Sequence, residues 1–144
     1  MSGADDAAPR PLKLFAGDVE DLSVISAMVQ DAIVPLGDIA YLADEQCFVL
    51  AINRYRWEEG ADAGERVTSG LRFSAVTKAQ FRDIDVRDRG RFLDLLTVVC
   101  DEGAVALHFA GGGAIRLEVE KLACVLEDFD EPHPTHWRPE HGEG

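Results

Sequence analysis

The sequence predicts an α+β fold, with one N-terminal amphipathic helix packed on a mainly antiparallel sheet or partly closed barrel of about six strands. Apolar residues recur at helical spacing between residues 18 and 32, and after Pro35 they recur mostly at every second position. Gly111-Gly112-Gly113 separates two alternating segments, as in a β-hairpin. A length of 144 residues and a hydrophobic fraction of 47% suit one domain with its own core.

The chain divides into three parts. Residues 1–11 are rich in Ala, Asp and Pro, and we expect a mobile N-terminus there. Residues 12–129 carry the helical and alternating patterns and are predicted to form a single globular α+β domain. Residues 130–144 contain three prolines, which interrupt both helices and sheet ladders, so we expect an irregular, proline-rich tail.

The predicted helix spans residues 18–32. Asp18 is the expected N-cap, because its carboxylate can accept hydrogen bonds from first-turn N–H groups. Glu20 and Asp21 suit the positive end of the helix dipole, and Pro35 is expected to end the helix. One apolar stripe follows the helical repeat: Leu22, Ile25, Met28, Val29 and Ala32.

The other predicted elements are strands. A short first strand precedes the helix at residues 12–15, and the alternation after Pro35 predicts several more. Polar or glycine-containing segments at 58–65, 82–91 and 101–103 connect them. The predicted strands after the helix are 39–42, 47–57, 67–79, 92–100, 105–109 and 115–119.

Residues 121–129 allow two interpretations. Their apolar side chains fit a C-terminal helix at positions i, i+3, i+4 and i+7, which is slightly favoured. They also fit a strand, if a bulge shifts the alternation after Val119.

The glycine run at 111–113 predicts a turn. A phosphate-binding loop would need a helix after the glycines and often a lysine. A strand-like alternation follows the glycines instead.

Charge and composition limit the classes of function. A net charge of −13 at pH 7 opposes binding to nucleic acid and to anionic membranes. No apolar run reaches the length of about 18 residues that a membrane helix needs, and we expect no signal or transit peptide at residues 1–10. Cys47, Cys100 and Cys124 lie in apolar segments and are expected to be reduced and buried, which indicates a cytoplasmic protein.

No motif for catalysis or metal binding rises above background. His133, His136 and His141 lie in the proline-rich tail, where solvated side chains are a better interpretation than a metal site. His108 has the opposite parity to its apolar neighbours and is expected on the solvent side of its strand. We therefore predict no catalytic residue, no metal and no other cofactor.

The main functional hint is a concentration of arginine between residues 54 and 91. This segment holds nine basic and seven acidic residues, so its net charge is +2, whereas the whole chain has a net charge of −13. Eight of the nine basic residues are arginine. One interpretation is a set of cross-strand ion pairs on the solvent faces of strands. The other is a binding face, because the planar guanidinium suits carboxylates and phosphates. The candidate binding residues are Arg54, Tyr55, Arg56, Trp57 and Arg72.

The leading hypothesis is a non-catalytic binding or regulatory protein. It would contact a protein partner or a small anionic ligand through this Arg/aromatic sheet face. Two alternatives stay open: an enzyme without a recognisable motif, built around a pocket in the curved sheet, and a structural homodimer formed through an exposed sheet edge. Nucleic acid and membrane partners are not expected.

Six segments of the chain carry a family resemblance: LKL at 12–14, QDA at 30–32, GDIAYL at 37–42, NRYRWE at 53–58, FAGGGAIRLEVE at 109–120 and PTHWRP at 134–139. In these segments the chain resembles an uncharacterised alphaproteobacterial family filed as domain of unknown function 2948. The resemblance covers residues 12–141, nearly the whole chain. It implies a stand-alone bacterial protein of the cytoplasm, and it supplies no activity, cofactor or catalytic residue.

Overall fold

The computed structural model describes residues 12–56 and 66–129 of the chain. These residues form one α-helix, α1 (Val19–Met28), and two 3₁₀ turns, Leu36–Asp38 and Ala43–Glu45. They also form ten strands: β1 (Lys13–Ala16), β2 (Ala32–Pro35), β3 (Ile39–Leu42), β4 (Cys47–Tyr55), β5 (Arg66–Phe73), β6 (Val76–Arg82), β7 (Phe92–Asp101), β8 (Ala104–Phe109), β9 (Ala114–Val119) and β10 (Cys124–Asp128). The predictions made for residues 1–11, 58–65 and 130–144 lie outside the described residues.

All ten described strands join one antiparallel sheet. Its order is β1-β10-β5-β4-β2-β7-β8-β9-β6, and β3 also pairs with β4. β1 and β6 are the end strands of this order, so the described sheet is not closed into a barrel. The α+β class with a mainly antiparallel sheet is confirmed, whereas the prediction of about six strands is wrong. The difference arises at β2, β6 and β10. The sequence patterns place Ala32, the first residue of β2, in the helix and β6 at the end of a longer strand, and they slightly favour a helix over a strand for β10.

The start of α1 is as predicted. Asp18 adopts an extended conformation, and its Oδ1 accepts a hydrogen bond from the N–H of Asp21 at 2.8 Å. Leu22, Ile25 and Val29 turn towards the interior, and each is at most 1% exposed. The helical spacing of the sequence therefore marks the buried face of α1 correctly.

The end of α1 is earlier than predicted. The helix stops at Met28 rather than at residue 32, because Asp31 takes a left-handed conformation with φ of 66°. Ala32 then pairs with Leu95 in the sheet. Pro35 does not end the helix; it is the last residue of β2.

The predicted strand 67–79 is two strands. Ala75 has φ of 58° and turns the chain after β5, while the N–H of Ser74 donates to the carbonyl of Ala123 at 2.9 Å. β6 then pairs with β9, at the other end of the sheet order. No glycine or proline marks this break, so the strongest local turn signals are absent there.

β10 corrects the helical interpretation of residues 121–129. It lies between β1 and β5, with Leu126 opposite Leu71. Cys124, Leu126 and Asp128 are buried, which is the period of two that a strand shows. Pairing with two neighbouring strands therefore overrides the helical spacing of the apolar residues.

The two tight turns of the C-terminal half are confirmed. Gly111 and Gly112, between β8 and β9, have φ of 91° and 101°, in the region that glycine adopts most easily. Glu102 and Gly103, between β7 and β8, have φ of 52° and 80°. These turns hold β7, β8 and β9 side by side as a meander.

The interior of the sheet is apolar, and α1 covers part of it. The buried side chains of the long strands include Phe48, Leu50, Ile52, Leu71, Phe73, Leu95, Val98, Val105, Leu107, Phe109, Ile115 and Leu117. In the part of the chain that the structure describes, no helix has the length and apolar character needed to cross a membrane.

Replacing the capping carboxylate tests the start of α1. Asp18→Ala removes the acceptor for the Asp21 N–H, and we expect the free energy of unfolding to fall by about 1 kcal/mol. Asp18→Asn keeps an oxygen acceptor at this position and is the matched control, with a smaller loss expected. Urea unfolding followed by circular dichroism measures both variants. Equal losses would show that the hydrogen bond of the cap contributes nothing.

Candidate functional site

Arg54, one of the predicted binding residues, lies inside the protein. It continues the inward face of β4, on which Phe48, Leu50 and Ile52 are buried, and its side chain is 0% exposed. Arg54 therefore offers no exposed surface to a partner in this conformation. The interpretation of ion pairs on a solvent face does not apply to it either.

A buried carboxylate pairs with Arg54. Asp128 accepts two hydrogen bonds from the guanidinium, from Nε to Oδ1 at 3.1 Å and from Nη2 to Oδ2 at 2.9 Å. The hydroxyl of Ser69 donates to Oδ1 at 2.5 Å, and the N–H of Leu12 donates to Oδ2 at 3.0 Å. Arg54 Nη1 also donates to the carbonyl of Tyr55 at 2.9 Å. We call this set of contacts the Arg54–Asp128 cluster; it joins β4, β5, β10 and the residue before β1.

Two opposing effects set the pKa of Asp128. Burial alone would raise the pKa of this carboxyl, but the hydrogen bonds from Arg54, Ser69 and the backbone of Leu12, with the charge of Arg54, hold it below its ordinary value. Asp128 is therefore ionised at neutral pH, and the pair is a bidentate ion pair in the interior. Its role is to hold strands together.

Tyr55, Arg56 and their neighbours also make contacts within the fold. The guanidinium Cζ of Arg66 lies 4.0 Å from the ring centre of Tyr55, the distance of a cation–π contact. Arg66 donates to the side-chain oxygen of Asn53, to the carbonyl of Asn53 at 2.9 Å and to the carbonyl of Asp31 at 3.3 Å. Arg56 is 8% exposed. These contacts tie β4 to β5 and to the residue before β2.

Arg72 on β5 is exposed, unlike Arg54 and Arg56. Trp57 lies outside the described residues. The structure therefore does not bring the described members of the predicted set onto one exposed face. Ligand binding by Tyr55, Arg56 and Arg72 stays a prediction.

A different polar surface lies on the outward side of β7, β8, β9 and β6. The cross-strand register places the outward-facing residues of these strands in three rows. The rows are Asp101–Ala104–Glu118–Lys78, Val99–Ala106–Arg116–Gln80 and Thr97–His108–Ala114–Arg82. We call this surface the outer face.

Small side chains open a cavity in the outer face. Ala106 of β8 and Ala114 of β9 lie on adjacent strands in neighbouring rows, and their methyl groups leave space between longer side chains. The space has a volume of about 470 Å³. We call it the alanine trough. Its polar lining consists of Gln80, Arg82, Asp83, His108 and Arg116.

The lining of the alanine trough carries one carboxylate, that of Asp83, and the guanidinium groups of Arg82 and Arg116. Arg116 also makes an ion pair with Glu118. Its Nη1 lies 2.8 Å from Oε2 of Glu118, and both side chains are about half exposed. A guanidinium has five N–H donors, so this bond orients the group while engaging only part of its donor capacity. Arg82 and His108, both exposed, flank Ala114 in the neighbouring row. The trough thus presents N–H donors to the solvent.

The sequence indicated part of this surface. The predicted exposure of His108 is confirmed. The alternation of the hairpin also predicts that Ala106 and Arg116 lie on the outward side of their strands. Gln80 and Arg82 were missed, because they come from β6, whose pairing with β9 follows a break that no glycine or proline marks.

The cysteine thiols are poor candidate nucleophiles. Burial raises the pKa of Cys124 to about 12, and burial is also the main cause of the raised pKa values of Cys47 and Cys100. Within residues 12–56 and 66–129, no group of three or more His, Cys, Asp and Glu side chains is arranged to hold a metal ion. The tail histidines lie outside these residues.

The fold and the outer face define an α+β protein whose described strands form one open antiparallel sheet with a polar trough on its surface. The chain belongs to the family described as Protein of unknown function (DUF2948), whose family model matches residues 12–141. The predicted family is thereby confirmed. Comparisons with curated proteins and with solved structures give no match.

Breaking the buried ion pair is expected to destabilise the fold strongly. Arg54→Met leaves the Asp128 carboxylate buried without its cation, and we expect a loss of about 3–5 kcal/mol in the free energy of unfolding. The matched control is Arg87→Met, which breaks the exposed pair of Arg87 with Asp85 (3.2 Å) and is expected to lose at most about 1 kcal/mol. Urea unfolding at pH 7 measures both; similar losses would contradict a structural role for Arg54.

The lowered pKa of Asp128 also predicts how stability depends on pH. The unfolded carboxyl has a pKa of about 3.9, so the stabilisation is fully present above that value and is lost as pH falls through the lower pKa of the folded state. We expect the difference in unfolding free energy between the wild type and Asp128→Asn to be constant from about pH 7 to pH 5 and to shrink below about pH 4. Urea unfolding across this range measures the difference. A difference that stays constant or grows at acid pH would show that Asp128 is not held ionised.

Proposed function

We propose that the protein is a non-catalytic binding protein that holds a small anionic ligand in the alanine trough. The observation that carries the proposal is the cavity of about 470 Å³ over Ala106 and Ala114, flanked by Arg82, His108 and Arg116. Its volume falls within the range of about 300–1,000 Å³ typical of small-molecule sites.

The chemistry of the trough favours an anion. Arginine presents a planar fork of N–H donors that matches carboxylate and phosphate oxygens. Glu118 holds Arg116 in place from one side, so less side-chain freedom is lost when a ligand binds. Gln80 and His108 add further hydrogen-bonding groups on the same surface.

Net charge favours a small anion over a polyanion. At −13 the whole chain repels nucleic acid and anionic membranes, whereas a local pair of arginines can bind a compact carboxylate or phosphate. The trough lies on the outward side of the sheet and is open to water, which suits reversible binding. We place this role in the bacterial cytoplasm, which fits the three free cysteines, Cys47, Cys100 and Cys124.

Titration with inorganic phosphate tests the site. In ¹H–¹⁵N spectra of the labelled protein at constant ionic strength, we expect the largest shifts at the amides of Ala106, His108, Ala114 and Arg116. Arg82→Met/Arg116→Met is expected to weaken phosphate binding about tenfold or more, because it removes charge-assisted hydrogen bonds. Ala106→Leu is expected to weaken binding by filling the trough without changing the charge.

The control is Arg87→Met/Arg91→Met, which removes the same charge from two exposed residues outside the trough. If both double variants weaken phosphate binding equally, the effect is one of net charge and the proposed site is wrong. Shifts centred on Arg72 instead would favour the sheet face that the sequence indicated.

A further inference from the structure

The alanine trough continues into a second cavity. This cavity has a volume of about 240 Å³ and is lined by Val99, Asp101, Glu102, Ala104, Ala106 and Arg116. Ala106 and Arg116 line both spaces, so the two form one groove across the outer face. We call it the outer groove.

The two ends of the outer groove differ in charge. Arg82, Asp83 and His108 lie at one end, Arg116 lines both cavities, and Asp101 and Glu102 lie at the other end. Because the two arginines outnumber the single carboxylate of Asp83, the first end is the basic one and the second is acidic. The acidic end is a tight turn, since Glu102 has φ of 52° and Asp101 is paired with Ala104 in the sheet. The backbone positions of Asp101 and Glu102 are therefore fixed by strand pairing and by the turn.

The length of the outer groove suits an extended peptide. Asp101 lies on β7, and Arg82 lies on β6, which is three strands further along the sheet order. The two residues are also separated by two rows in the direction of the strands. With about 4.8 Å between strands and about 6.8 Å between rows, the diagonal is about 20 Å. About six extended residues span this distance.

The middle of the groove also suits a peptide backbone. Ala104 and Ala106 give it a low floor, and Val99, which is 46% exposed, forms an apolar wall. A small anion would occupy only the basic end and would leave the carboxylates of Asp101 and Glu102 unused.

We propose that the outer groove binds an extended segment of a partner protein, with an acidic side chain at Arg82 and Arg116 and a basic side chain at Asp101 and Glu102. This inference rests on the proposed function, because it places the anionic group of the partner in the alanine trough. Charge complementarity at the two ends fixes the direction of the segment in the groove.

Blocked hexapeptides test the inference directly. Acetylated and amidated peptides carry Asp at one end, Lys at the other and Ser or Thr between, in both chain directions, and each has a counterpart with Gln in place of Lys. In one direction we expect the Lys peptide to bind about two- to fivefold more tightly than its Gln counterpart, the range of an exposed ion pair. Asp101→Asn/Glu102→Gln is expected to abolish that preference and to leave phosphate affinity at the other end unchanged or slightly increased.

The control is Asp44→Asn/Glu45→Gln, which removes the same two charges from an exposed turn outside the groove. A Lys preference that survives Asp101→Asn/Glu102→Gln, or is absent in both directions, overturns the inference. If the wild type self-associates and Asp101→Asn/Glu102→Gln abolishes that self-association, the occupant is a second copy of the chain. This result would also overturn the inference. If phosphate does not shift the trough residues at all, the proposed function fails; if phosphate binds there but no Lys preference exists, only the peptide inference fails.

Discussion

The buried ion pair between Arg54 and Asp128 is the interaction on which the rest of the fold depends. Two charges in an apolar interior are tolerated only when each is paired and hydrogen-bonded. Here the hydroxyl of Ser69 and the N–H of Leu12 donate the remaining hydrogen bonds to the carboxylate of Asp128. The four contributing residues come from β4, β5, β10 and the segment before β1. A single cluster therefore fixes both ends of the described chain against its central strands.

The same cluster explains why the C-terminal segment is a strand. Side chains alternate between the two faces of β10, so Cys124, Leu126 and Asp128 all point inward. This alternation brings the carboxylate of Asp128 to Arg54. A helix over these residues would present a different set of side chains to the interior and would leave Arg54 without its anion. Long-range electrostatic pairing thus agrees with the backbone pairing of β10 to β1 and β5.

Local features could be predicted from the sequence, and long-range pairings could not. The cap at Asp18, the turn at Gly111 and Gly112, and the outward position of His108 follow from neighbouring residues. Arg54 lies on the same side of its strand as Phe48, Leu50 and Ile52, which indicates an inward position. Its partner, Asp128, lies 74 residues further along the chain and could not be identified from local sequence. Gln80 and Arg82 reach the outer face through the non-local pairing of β6 with β9, so the alanine trough could not be assembled from sequence alone.

The buried Arg54 therefore has a structural role, which separates it from Arg82 and Arg116, the candidate binding arginines of the outer face. The most direct test is the Nε–Hε spectrum of arginine in ¹⁵N-labelled protein during titration with inorganic phosphate. We predict that the Arg54 signal exchanges slowly with water and keeps its position, while the Arg116 signal shifts. A phosphate-dependent shift of Arg54 with Arg116 unchanged would contradict this division.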